Sequence, residues 1–246
     1  MAAELAALPG GGGGATDNAE SLLALLRRTF LQTDRQFLME AVAQSNALQQ
    51  SRDSRYAVEH EKAKWLSGST AVCALFCGAE MLVAHVGDSE AVLCRDDRAL
   101  RLTRQHNCHD DDERARVEAA GGWLTGTRTK RVNGVLGVSR AFGDIEYKLW
   151  KSRQWGVDFS ADLVTVEPAL LRVRLKKNRD RFAIFASDGL WDVFDRGEAV
   201  RKVLSWRAQA GTVDGVAAHL AAEAVARGNN DNCSVVVVEF VWGAEG

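Results

Sequence analysis

The chain has 246 residues, 46% of them hydrophobic, which is enough to bury one sizeable core. Lys and Arg number 31 against 33 Asp and Glu, a net charge of -2, so no global basic field draws the chain to nucleic acid or to an anionic membrane. No apolar run approaches the roughly 18–20 residues that span a bilayer, and the opening MAAELAALPGGGGG lacks the charged-then-apolar layout of a secretory signal. The five cysteines, Cys73, Cys77, Cys94, Cys108 and Cys233, are odd in number and form no CxxC pair, which fits a reducing compartment. The expectation is a soluble intracellular protein of the cytoplasm or nucleus, with an organelle left open.

Gly10 to Gly14 are five consecutive glycines, and residues 1–15 read as a flexible lead-in, because ordering such a run costs more entropy than it can recover. From Glu20 to Gln50 apolar residues recur at helical spacing, among them Leu22, Leu25, Leu26, Phe30, Leu38 and Ala41. This predicts one long helix or two in succession, with Asp17 or Asn18 as the cap. After Trp65 the runs STAVCALFCG, EMLVAHVG and EAVLCRDD read as adjacent antiparallel strands. Asp110 to Ala120 reads as a short helix stopped at Gly121 and Gly122, and Arg128 to Asp162 as an irregular excursion. Strands are expected at Leu163–Val166, Leu170–Leu175 and Phe182–Ala186, and helices at Glu198–Ala208 and Val213–Arg227. A last strand, Cys233 to Val241, has the continuous valines of a central strand covered on both faces.

Two acidic turns carry chemistry. FAIFASDGLWD and GNNDNCSVV each place a carboxylate, Asp188 and Asp231, where an apolar strand meets a tight turn. Mg²⁺ and Mn²⁺ prefer oxygen ligands and keep several waters, so a few carboxylates on a rigid sheet edge suit them. Either turn alone is also explained by the backbone preferences of Asp and Asn.

Six segments, in order, resemble the motif series of the protein phosphatase 2C family: SGSTAV, HVGDSEAVL, LTRQHNCHDDDERARVEAAGG, VNGVLGVSRAFGD, ASDGLWDVF and NNDNCSVVVV. The resemblance implies an α+β fold, a four-layer α-β-β-α sandwich of two antiparallel sheets flanked by helices, here N-terminally incomplete. It spans residues 16–243, with a flap region at about 128–162. It implies metal-dependent dephosphorylation of phosphoserine and phosphothreonine proteins, with two and in some cases three Mn²⁺ or Mg²⁺ ions and a metal-held water that attacks phosphorus directly. Asp188 and Asp231 resemble carboxylates on the first metal, and Asp88 and Asp192 resemble contributors to a weaker third one. Gly189 would permit close backbone approach behind Asp188, and Asn232 would hold the neighbouring turn. Asp144, closing SRAFGD, reads equally well as a structural turn residue.

The chain departs from the family pattern in two places. The Met-Glu-Asp and Asp-Gly-His-Gly-Gly motifs are not found, so the family's metal-bridging Asp, proton-donating His and phosphate-gripping Arg have no counterpart and no catalytic residue is assigned. The alternative this raises is a catalytically inactive or impaired pseudophosphatase that binds phosphoproteins or partners. The second departure is Glu90, where the family commonly carries arginine after GDS.

His106, Cys108 and His109 lie close in sequence but lack the separated ligand pairs of a dedicated metal site. Cys73 and Cys77 read as packing on one strand face, and His85 as a satisfied strand residue. Trp150 and Trp155, amid Lys148, Lys151 and Arg153, form a surface that either grips a phosphopeptide or regulator or anchors the flap. The expected partner is a phosphoprotein substrate, with no nucleic acid and no membrane. The chain is expected to be a monomer, with the flap or an exposed sheet edge open to a regulatory partner.

Overall fold

The computed structural model describes residues 15–50, 66–126, 130–149 and 158–242. The glycine run, Trp150, Lys151, Arg153 and Trp155 lie outside the described residues. In chain order the elements are helix α1 (Ala15–Gln50), strands β1 (Gly68–Ser69), β2 (Ala71–Cys77), β3 (Glu80–Val86), β4 (Glu90–Arg95) and β5 (Arg98–Arg101), then helix α2 (Asp111–Ala119). Short strands β6 (Leu124–Thr125), β7 (Arg131–Val132) and β8 (Phe142–Gly143) follow. The chain continues with β9 (Ala169–Arg174), β10 (Asp180–Ala186), α3 (Asp188–Trp191), α4 (Arg196–Ala210), α5 (Val216–Ala226) and β11 (Val235–Glu239). This is the mixed helix and antiparallel sheet structure expected. Among the described residues no helix is long and apolar enough to cross a membrane.

The chain divides into two compact units. The first holds residues up to Ala71 and His106–Leu170. Its α1 is one unbroken helix that already runs from Ala15, so Asp17 and Asn18 lie within it rather than ahead of it. Its apolar stripe buries Leu22, Leu25, Leu26, Phe30, Leu38 and Ala41, as the helical spacing predicts. Helix α2 starts at the cap Asp110, whose carboxylate accepts from the backbone N–H groups of Asp112 and Glu113.

Most of this unit's connecting chain is irregular, and arginine forks take several of its carbonyls beside scattered backbone bonds. Arg116 donates to the carbonyls of Asp162, Ser139 and Leu163. Arg140 donates to that of Glu167. Both arginines are aimed by Glu113 on α2, whose carboxylate also accepts from Ser139 Oγ at 2.6 Å. The strand expected at Leu163–Val166 is absent: only an isolated bridge between Arg140 and Thr165 forms, with Thr165 N–H donating to the Ser139 carbonyl and Ala141 N–H to the Thr165 carbonyl, while Arg116 takes the Leu163 carbonyl.

Lys148 is corrected from a surface cation to a buried one. Its side chain is 1% exposed, with Nζ 3.4 Å from the Asp34 carboxylate and from the Ala141 carbonyl. It takes no part in a phosphopeptide-gripping face. Asp144 sits beside it in a left-handed turn conformation (φ 49), which fits the turn-residue reading, and burial pushes its carboxyl up to about 6.

The second unit, Val72–Gln105 and Leu171–Gly246, contains two sheets. One has the order β11-β10-β4-β5, with antiparallel register from Phe182↔Glu239 to Ala186↔Val235 on one side of β10 and from Phe182↔Cys94 to Ala186↔Glu90 on the other. The other has the order β2-β3-β9. Side chains alternate as pleating demands. Ala91, Leu93, Ala183 and Phe185 face Met81 and Val83 of the second sheet. Val92, Cys94, Phe182 and Ile184 face α3, α4 and α5, where Leu190, Val200, Val203, Leu220 and Ala224 complete the other core. Within this unit the layers are helices, sheet and sheet.

Two sequence expectations change here. β3 and β4 follow one another in the chain but lie in different sheets, the chain crossing at Gly87, whose positive φ of 89 suits glycine. Both strands are buried almost throughout, a pattern that belongs to strands covered on two faces. β11, read as central from its valines, is the edge of its sheet among the described strands, and its Val236 is 56% exposed.

Candidate functional site

The crossover at Gly87 has a consequence for chemistry: it puts Asp88 at the same end of the four-stranded sheet as the close of β10 and the start of β11. Glu90 pairs with Ala186, and Ala186 with Val235, so the three chain segments carrying Asp88, Asp188 and Asp231 issue from neighbouring strand ends. Asp192 closes the single turn of α3 that Asp188 opens. All four candidate carboxylates thus belong to the second unit, and Asp144 to the first.

Their charges act on one another. Burial pushes the Asp88 carboxyl up to about 6, reinforced by the negative charges of Asp188, Asp192 and Glu90. Asp188 is raised too, first by burial, then by the charges of Asp231 and Asp192. Among the described residues none of the four is paired with a cationic side chain. Like charges held together in partly dehydrated surroundings repel, and a bound cation is the ordinary way to relieve them.

The donor chemistry fits a hard divalent ion, which needs only one or two carboxylates and fills its remaining positions with water. No cluster of three or more His, Cys, Asp and Glu groups converges in a ready ligating arrangement among the described residues. His106 and Cys108 are buried and His109 is exposed, so the three do not converge. His85 Nε2 donates to the Arg104 carbonyl at 2.9 Å.

The backbone around Asp188 and Asp231 is built to a tight tolerance. Ser187 N–H donates to the Ser234 carbonyl, and Ser234 N–H donates to Ser187 Oγ, each at 3.0 Å. Asp231 Oδ1 accepts from Asn232 N–H at 2.7 Å, and Asn229 Oδ1 accepts from Asp231 N–H at 3.1 Å. Ser187 and Asn229 were not singled out from the sequence. Their small polar side chains in a turn are too common a feature to mark them there.

Gly189 is the point of closest approach. A Cβ there would collide with the Asn232 carbonyl oxygen and lie 3.0 Å from its carbon and 3.1 Å from the Cys233 Cα. Since those neighbours are backbone, Gly189→Ala is expected to destabilise the protein by about 1–3 kcal/mol, measured by urea unfolding.

Comparison with known proteins agrees with this frame. The family model described as Protein phosphatase 2C matches residues 12–233. Probable protein phosphatase 2C 71 of Arabidopsis thaliana is 40% identical over 71% of this chain and 35% of its own length. The integrin-linked kinase-associated serine/threonine phosphatase 2C of Bos taurus is 36% identical over 86% of this chain and 53% of its own length. The chain thus spans about a third to a half of these two relatives. In structure, the crystal structure of serine-threonine phosphatase 2C from Toxoplasma gondii superposes with a TM-score of 0.70 at 21% identity, covering 97% of this chain and 74% of that one, a likeness of fold. The chain belongs to the protein phosphatase 2C family.

Proposed function

We propose that the chain is part of a metal-dependent protein phosphatase that hydrolyses phosphoserine and phosphothreonine in proteins, and that Asp188 and Asp231 hold one divalent cation while Asp88 and Asp192 serve a second, weaker site. The observation that carries this is the set of four carboxylates with no cationic partner at one sheet end, in a chain of this family. When bound, Mn²⁺ or Mg²⁺ supplies a water acidic enough to be hydroxide near neutral pH and neutralises charge on the phosphoryl oxygens.

The chain's own residues set the stage for that chemistry. The Ser187–Ser234 bonds and the Gly189 approach tie together the backbone of the two turns that carry Asp188 and Asp231. The Asp231 turn is held by Asn229 Oδ1, which accepts from Asp231 N–H, and by Asn232 N–H, which donates to Asp231 Oδ1. The bridging Asp, acid His and phosphate Arg attributed to the family are not among these 246 residues, so proton donation and phosphate grip are assigned to no group here. The relatives named above carry phosphatase names and lend the inactive alternative no support.

The test is release of inorganic phosphate from a phosphothreonine peptide, with Mn²⁺ and with EDTA. Turnover that needs Mn²⁺ is expected. An undiminished rate in EDTA overturns the metal assignment, and tight phosphopeptide binding without turnover favours a binding module.

A further inference from the structure

Glu90 stands one residue beyond the Asp88–Ser89 turn and is wholly buried, with a carboxylate 0% exposed. A lone buried carboxylate is costly, yet this one is surrounded by donors from three places in the chain. Arg196 Nη2 donates to Oε1, Gln105 Nε2 donates to Oε1 at 2.9 Å, and Arg101 Nε lies 2.6 Å from Oε2.

Arg196 is the unusual partner. It is the first residue of α4, where the helix dipole is positive and a cation is disfavoured. The ion pair with Glu90 offsets that cost. The guanidinium carbon also sits 5.7 Å over the Trp191 ring, and Trp191 Nε1 donates to the Ala186 carbonyl at 3.0 Å. Ala186 is the ladder partner of Glu90.

These contacts close a ring: Glu90 to Arg196, Arg196 to Trp191, Trp191 to Ala186, and Ala186 back to Glu90. The chain segment spanned by the ring, 187–191, carries Asp188 and ends against Asp192. The strand that closes the ring, β4, leads directly out of the turn bearing Asp88. We infer that Glu90 and Arg196 form a clamp that positions Asp88, Asp188 and Asp192 relative to one another, making both of them positioning residues for the cation site. Arg101 neutralises Glu90 from the strand edge but does not reach Trp191, so it belongs to the charge balance and not to the ring.

This rests on the cation-holding reading above and deepens it. Groups that orient metal ligands typically change metal affinity by 10–100-fold when removed. The experiment is a Mn²⁺ titration of the whole chain by electron paramagnetic resonance for wild type, Glu90→Gln, Arg196→Met and Arg101→Gln, each checked by urea unfolding. Glu90→Gln and Arg196→Met are expected to weaken Mn²⁺ binding by about tenfold or more, with Arg101→Gln changing it less than about threefold.

Wild-type affinity in the first two variants overturns the clamp, as do equal losses in all three that follow their loss of stability. If Glu90→Gln does not fold, Arg196→Met decides, since Arg196 is 30% exposed and its methionine variant keeps the packing on Trp191. A wild-type chain that binds no Mn²⁺ overturns the cation reading and the clamp together; a wild type that binds beside variants that bind equally well overturns the clamp alone.

Discussion

Asp188→Asn is expected to weaken Mn²⁺ binding about a hundredfold and to abolish metal-dependent phosphate release, while leaving the metal-free protein at least as stable as wild type at neutral pH. The two effects share one cause. Asparagine keeps the size of the side chain and one acceptor oxygen but removes the charge. Near a protein surface two unit charges about 4 Å apart attract by roughly 4 kcal/mol, of which part is lost to stripping water from both. About 1.4 kcal/mol is tenfold in an equilibrium constant, so a hundredfold is the expected scale.

The stability effect has the opposite sign. Burial and the charges of Asp231 and Asp192 raise the Asp188 carboxyl on folding. A carboxylate whose pKa rises on folding binds its proton more tightly in the native state, so the native state loses stability as pH climbs through and above the usual carboxylate range. Removing the charge removes that cost. Urea unfolding in EDTA at pH 7 and again at pH 3 checks this: the advantage of Asp188→Asn should be present at pH 7 and gone at pH 3. A variant that is less stable at pH 7 would mean that the Asp188 charge supports the fold, contrary to a site strained for binding a cation.

Glu113→Ala is expected to cost about 3–5 kcal/mol, the largest single stability loss proposed, because it strips the partner from two half-buried arginines at once. Burial alone would push the Glu113 carboxyl up. The hydrogen bonds from Arg140 and Ser139 and the charges of Arg116 and Arg140 outweigh burial and bring it down to about 2. With the folded pKa depressed, the contribution of Glu113 is fully present above the usual glutamate range and is lost as pH falls from about 4.5 toward 2. Glu113→Gln should therefore be less stable than wild type at pH 7 and should show a flatter decline between pH 4.5 and 2. Chemical unfolding across that range measures both. The segments that loosen first should be those whose carbonyls Arg116 and Arg140 satisfy, at Ser139, Leu163 and Glu167, and hydrogen exchange resolves them.

Much of the architecture was legible in local sequence. The helical stripe from Leu22 to Ala41 and the turns of α4 and α5 follow from side-chain spacing, a property of a few neighbouring residues. The helix from Asp110 and its stop at Gly121 and Gly122 are equally local, since a short charged, alanine-rich run closed by glycines needs no distant partner to be read. The acidic turns at Asp188 and Asp231 could be read as cation ligands because both end apolar strands and because the surrounding words resemble one family.

What the sequence left open is what depends on distant partners. The strand expected at Leu163–Val166 forms only an isolated bridge, and its Leu163 carbonyl is taken by Arg116, a residue nearly fifty positions earlier. Lys148 looked like a flap cation and proved to be the buried partner of Asp34, more than a hundred residues earlier. β11 carries the valines of a central strand, yet pairs on one side only among the described strands.

By itself, then, the sequence determined the longer helices, most of the strand runs, the acidic turns and the family, all of which are carried by periodicity and short ordered motifs. Only the tertiary structure decided which strands share a sheet, which charges are buried, and that Glu90 and Arg196 close a ring beside the carboxylates. The physical reason is that pairing energies between residues far apart in the chain, and the dehydration that makes a charge costly or valuable, exist only once the chain has folded.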